Sequence, residues 1–472
     1  MNYMKGEIMK KIIKIILIII LAIAIIGGSV YIGYINGKKE TTNQINNNNT
    51  PPDKPDGEPP EKPDGEEPGE PPGKPGEEQE SVASSGVKEI TGEEEITENL
   101  ESTEANKSVI LVKDGGNAKV SNVTINKSSG DATNMESSEF NGVNAGILVE
   151  KDSNLEINDS KIITNAKGSN AVFATGENSK IVLKNTEIMT KGSSGSRGLD
   201  ATYGGTIEGD NLTITTNGAS SATLATDRGE GTINVVNSNL TTNGKGSPII
   251  YSTGNISITE TKGVSNGSQM VVIEGKNSAT VNSSNLVASG VGNRNNVDNS
   301  GIMIYQSMSG DADTGKGIFN VVDSSLEISS SSSVYKTAPM FFITNTDAEV
   351  NITNTKLRYG SNILASIVGT SEWGNTGNNG GNLVLNAKNQ SLRGNIIIDN
   401  ISTLEFNLVN SAYRGMINNS NIAKEVKLKI DSDSKIILTG DTYVTSLENE
   451  DITNSNIDFK TYKLYVNGEA IN

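Results

Sequence analysis

LEINDSKIITNA (155–166), IVLKNTEIMTKG (181–192), IEGDNLTITTNG (207–218) and INVVNSNLTTNG (233–244) are four copies of one unit, each beginning 26 residues after the last. Apolar residues alternate at Leu155 and Ile157 and at Ile181 and Leu183, the period-two pattern of a short strand. Ile162, Ile188, Ile214 and Leu240 hold one column. Thr164, Thr190, Thr216 and Thr242 hold a second, and Asp159, Asn185, Asn211 and Asn237 a third. Gly192, Gly218 and Gly244 hold a fourth. One such unit cannot bury its own apolar side, whereas a stack buries a continuous core. The pattern therefore predicts a coil of three short strands per period. The Asn and Thr columns are expected to hydrogen-bond to like neighbours in successive coils, and Gly to supply positive φ at the corners.

Working outward, the unit recurs with changed length. Copies open at Ile256, Val281, Val321, Ile352, Leu383 and Leu404, a last section at Val426, and the first clear one at Val120. A second strand in each period is more apolar: AVFAT (171–175), ATLAT (222–226), PIIYST (248–253), MVVIEG (270–275), IMIYQ (302–306) and MFFIT (340–344). The expected architecture is all-β, a right-handed single-stranded parallel β-helix of about 12 coils. Left-handed forms use hexapeptide repeats of about 18 residues per coil, shorter than the periods here. Leucine-rich and calcium-nonapeptide consensus patterns are absent. Residues 290–317 exceed one period, and these and residues 369–382 must loop out from the stack. Loops on a rigid scaffold are where binding surfaces arise.

The ends of the chain read differently. Lys5, Lys10, Lys11 and Lys14 mark a basic segment, 1–14, before an uncharged run from Ile15 to Ile35. As a helix that run spans roughly 31 Å, the thickness of a bilayer core. It is too long for a signal peptide and no small-x-small cleavage site follows. The reading is a single-pass signal-anchor, with the basic end cytoplasmic and the rest outside the cell. Residues 41–80 then read as a disordered acidic linker holding 10 of the 12 prolines. Proline and like charges keep such a segment extended and unable to bury a core. The repeat domain is expected to fill 81–472.

Composition excludes several function classes. The net charge of −17 repels phosphate backbones, so nucleic acid is not expected as a partner. With no Cys, disulfides and thiol chemistry are excluded; with no His, so is the commonest general base near neutral pH.

VVIEGKNS (271–278), IMIYQSMSGDAD (302–313), ITNTDAEVNITN (343–354), IILTGDTYVTSL (436–447) and YKLYVNG (462–468) resemble a group of secreted, adhesin-like β-helix proteins of anaerobic bacteria. The resemblance covers roughly 85–472 and implies a pectin-lyase-like right-handed β-helix. It supplies no catalytic residues to carry over. More distantly the chain is similar to anchored β-helix proteins that bind cellulose, or acidic sugars with calcium. Polygalacturonases of that fold use paired aspartates and a nearby Gly-His-Gly, and this chain has neither an Asp-Asp pair nor a His.

The leading expectation is therefore a membrane-anchored surface protein that binds carbohydrate, such as polysaccharide or a host glycan, or another surface ligand, without catalysis. A calcium-dependent lyase acting on acidic polysaccharide and a passive envelope component are the alternatives. Asp227, Arg228, Glu230 and Lys316 join the charged groups near the apolar strands. Candidate ligand-binding residues are Tyr251, Glu274, Lys276, Tyr305, Gln306 and Trp373, which combine ring faces with hydrogen-bonding groups. Asp311 and Asp313, two apart beside Gly315, are the candidate calcium ligands, because neighbouring carboxylates at a turn can share one hard cation. No cofactor is required by this reading.

Overall fold

A computed structural model describes residues 81–472, which lie in one compact unit, Gly76–Asn472. The anticipated cytoplasmic segment, anchor and linker fall outside the described residues. Among the described residues no helix is long and apolar enough to cross a membrane.

The described chain is all-β with one short helix and is built on long parallel sheets. Sheet A has 12 strands, from Gly86–Ile90 to Asn395–Ile398. Sheet B has 14, from Glu93–Ile96 to Ser446–Asn449. Sheet C has 10, from Leu100–Ser102 to Lys356–Arg358, and a further parallel sheet of four begins at Ser391–Arg393. Through the body of the stack each strand pairs with the strand three further along the chain, so successive turns pass through A, B and C in order. That is the arrangement of a parallel β-helix.

The four sequence copies stack in register. Leu155, Ile181, Ile207 and Ile233 are successive partners in sheet B. Ile162, Ile188, Ile214 and Leu240 are successive partners in sheet C. All eight are buried. The strands begin before the first copy that is clear in the sequence, at Val120, and lie within 81–472. The first turn of the stack, Gly86–Ser102, hides in EITGEEEITENLES, where outward Glu residues obscure the alternation.

The corner between sheets B and C is one residue in the left-handed region: Asp159, Asn185, Asn211 and Asn237, with φ of 49°, 49°, 55° and 53°. Asn and Asp tolerate this backbone better than other residues with a Cβ. The expected ladder forms here. Asn185 Nδ2 donates to Asp159 Oδ1 at 3.0 Å, and Asn211 Nδ2 to Asn185 Oδ1 at 2.8 Å. The Thr column behaves otherwise: Thr164 and Thr190 donate to the carbonyls of Ser169 and Ser196 in their own coils, at 2.8 and 2.7 Å. Gly192, Gly218 and Gly244 are not at positive φ. They are needed because a Cβ there would meet backbone of the preceding coil at Ala166, Gly192 and Gly218.

Between its end strands, sheet A differs from the others in being largely buried on both faces. Ser108–Val112, Leu199–Thr202, Val271–Glu274 and Phe341–Thr344 are buried at every position. Doubly covered parallel strands read as continuous apolar runs, which explains the apolar second strand of each period. The outer cover comes from insertions between strands. One carries the helix Met135–Asn141, capped by the Asn134 side chain, which accepts from Ser137 N, and by Gly142 at φ 69°. The stretch 290–317 is not one loop: the sheet A strand Ile302–Tyr305 divides it into two.

Candidate functional site

The outward side of sheet A carries a column one residue wide. Leu111, Leu148, Phe173, Asp200, Ala225, Tyr251, Val272, Met303 and Phe342 are register partners in succession. At one end Leu111, Leu148 and Phe173 pack with Ala145. At the other, Trp373 from the 369–382 loop closes over Val272, Met303 and Phe342, with Tyr251 and Tyr305 packed alongside. Between the two caps the column turns polar and the cover opens. The opening is a cleft of about 420 Å³, within the size range of small-ligand pockets.

The helix forms one wall. Thr202 Oγ1 donates to the Phe140 carbonyl at 2.8 Å, seating the helix on sheet A, and Arg228 lies 3.8 Å over the Phe140 ring. Arg228 donates to Asp311 Oδ1 at 2.8 Å, tying the helix side to the 306–315 loop. Asp298 caps the remaining loop by accepting from the backbone N–H groups of Asn293 and Arg294, both at 2.9 Å.

The floor holds four buried charges. Arg197 donates to Asp200 Oδ2 at 3.2 Å and forms an ion pair with Asp227 Oδ2 at 2.8 Å. Burial opposes the charge on Arg197, but Asp227 and Asp200 outweigh it and raise its pKa, so the guanidinium stays protonated. Burial raises the Asp200 pKa well above the usual carboxylate range despite Arg197. It raises Asp227 to about 7. Glu274, 1% exposed, accepts from the hydroxyls of Tyr251 and Tyr305 on one oxygen, Oε2, at 2.8 Å each. Burial, together with Glu274, holds both tyrosine pKa values well above normal, so both remain donors. Glu274 Oε1 and Asp200 Oδ1 have no hydrogen-bond partner.

Of the residues singled out from sequence, Tyr251, Glu274, Tyr305, Asp311 and Trp373 line this cleft. Trp373 meets Tyr305 edge-to-face with centroids 5.3 Å apart and is 6% exposed, so it is a wall more than an open stacking platform. Lys276 lies outside, bridging Glu230 at 2.6 Å and Asp313 at 3.0 Å. Gln306 borders a separate groove with Asn345 and Thr346 and donates to the Ala312 carbonyl at 3.1 Å. Lys316 pairs with Glu349 at 3.2 Å. Asp311 and Asp313 do not converge, since each pairs with a different cation. Among the described residues no group of three His, Cys, Asp or Glu is placed to hold a metal ion.

The sequence reading missed Arg197, Asp200 and the helix wall. A signal existed: LDAT (199–202) pairs with VFAT (172–175) on one side and, through Leu199–Ala201, with LAT (224–226) on the other, so a carboxylate occupies a doubly covered apolar column. Such a residue marks a site or a paired charge.

Comparison with known proteins found no matching family model, curated protein or solved structure.

Proposed function

We propose that this chain is a non-catalytic, cell-surface carbohydrate-binding protein of adhesin-like type, which takes its ligand in the cleft on sheet A. The reading includes a right-handed, single-stranded coil, the hand that parallel crossover connections favour. It also includes a membrane anchor at 15–35 and an extended linker at 41–80 that would hold the binding domain away from the bilayer.

One observation carries the proposal. An aromatic wall of Tyr251, Tyr305 and Trp373 stands beside buried Asp227, Glu274 and Arg197 in one cleft of sufficient volume. Sugar recognition needs that combination, since a sugar offers an apolar ring face and a rim of hydroxyl groups. Six carboxylates (Glu139, Asp200, Asp227, Glu274, Asp298 and Asp311) stand in or beside the cleft against three guanidinium groups (Arg197, Arg228 and Arg294). Burial keeps protons on Asp200 and Asp227 through part of the pH range, but Glu274 has no cationic partner, and that supports a neutral or basic sugar over the uronates a lyase would cleave.

The test is a glycan array probed with the detergent-solubilised full chain, run with and without calcium. Selective binding to one sugar class, lost in Tyr251→Ala with the fold intact by circular dichroism, is the expected result. An empty array sinks the carbohydrate reading. A rise in ultraviolet absorbance on polygalacturonate sinks the non-catalytic one.

A further inference from the structure

One buried carboxylate of the cleft has no cation bonded to it, and Arg294, which also lines the cleft, forms no ion pair with it. Arg197 is committed to Asp200 and Asp227, and Arg228 to Asp311. Glu274 has no cationic partner among the ion pairs of the described residues. Its two hydrogen bonds come from neutral tyrosine hydroxyls and both reach Oε2, leaving Oε1 with none. A carboxylate buried in this way is costly unless something positive completes it.

A metal ion is a poor completion, because the described residues hold no cluster of three acidic or imidazole ligands. Hard cations take six or more oxygens, and Glu274 offers one free oxygen among aromatic rings. An ammonium group needs less. It carries three donors, accepts no hydrogen bond, and is stabilised by the faces of Tyr and Trp as well as by a carboxylate. Tyr251 and Tyr305 hold Glu274, Trp373 packs on Tyr305, and Asp227 shares the same cleft.

We propose that the cleft selects a sugar carrying a free amine, a hexosamine unit of a glycan, whose ammonium completes Glu274. This rests on the carbohydrate reading above and narrows it to a substrate class. N-acetylation would remove both the charge and two donors, and a uronate would set a carboxylate, not a cation, against Glu274.

The experiment is calorimetric titration of the full chain in detergent with three probes: β-1,4-linked glucosamine oligomers, their N-acetylated counterparts and galacturonate oligomers. At slightly acidic pH the glucosamine oligomer should bind about ten-fold or more tighter than the N-acetylated one, with galacturonate weakest. Glu274→Gln keeps an oxygen for the two tyrosine hydroxyls and should erase the preference, so that the glucosamine and N-acetylated oligomers bind the variant with affinities within about two-fold of each other. Equal affinity for the first two probes on the unmodified chain overturns the amine proposal and leaves the carbohydrate reading standing. Retention of the preference in Glu274→Gln likewise overturns it. Binding of none of the three also overturns the amine proposal, and the glycan array then decides the carbohydrate reading separately.

Discussion

The corner between sheets B and C and the outer face of sheet A are built on the same coil spacing, yet they treat polar atoms in opposite ways. At the corner a polar residue recurs from coil to coil, and Asn185, Asn211 and Asn410 each donate to the register copy one rung away, while Asn237 donates to Asp210 beside its copy. On sheet A the column runs Phe173, Asp200, Ala225, Tyr251, Val272, and no residue repeats. There Asp200 and Glu274 each keep an oxygen without a partner. A repeating polar column satisfies itself and needs nothing from outside. Polar groups that interrupt an apolar column do not, so the break in the repeat is where a ligand has something to add.

The strongest way to break that contrast is to remove the one cation on the cleft floor. Arg197→Met leaves Asp200 and Asp227 buried without a counter-charge, and losing one member of a buried pair costs about 3–5 kcal/mol. Urea unfolding of the full chain at pH 7.5 measures it. A loss below about 1 kcal/mol would mean that the floor is not held by charge, and that the two regions do not differ as described.

Acid pH sharpens the same comparison. Asp227 has its pKa raised by burial from 3.8 to about 7 in the folded protein. Between those values the folded state holds a proton that the unfolded state has lost. This contribution to stability is complete below the unfolded value and is lost as pH rises through the folded one. Stability from this group should therefore fall from pH 4 to pH 7, at no more than about 1.4 kcal/mol per pH unit. Asp227→Asn should flatten that part of the profile, measured as unfolding midpoints across the range. A profile with the same slope in the variant would remove Asp227 as its source.

Much of the coil geometry was legible because it repeats. Ile162 and Ile188 announce their pairing by spacing alone, and register then follows for every residue between them. The first turn was not legible, since Glu93, Glu94 and Glu95 fill a strand whose partner is ordinary. At the site, Tyr251, Glu274, Tyr305 and Trp373 stood out as aromatic or charged residues in apolar strands or loops. Their convergence did not, because it depends on how far each insertion folds back over sheet A. Lys276 shows the same limit from the other side: two residues from Glu274, it points to Glu230 and Asp313 outside the cleft.

The self-satisfying corner makes a smaller prediction, and a pair of substitutions separates its two causes. Asn185 sits at φ 49°, donates to Asp159 and accepts from Asn211. Asn185→Ala loses both ladder bonds and places a Cβ in the left-handed region without the local bonding that favours Asn there, a cost of about 1–2 kcal/mol. Asn185→Gly loses the same bonds but adopts the backbone freely. Because the side chain is exposed, water replaces most of what the ladder bonds supply, and the net value of each is small. The glycine variant should therefore recover most of the loss seen with alanine in parallel urea titrations. If glycine is as damaging as alanine, the column is held by its hydrogen bonds and not by its backbone. The corner would then depend on its neighbours as strongly as the cleft does on a ligand.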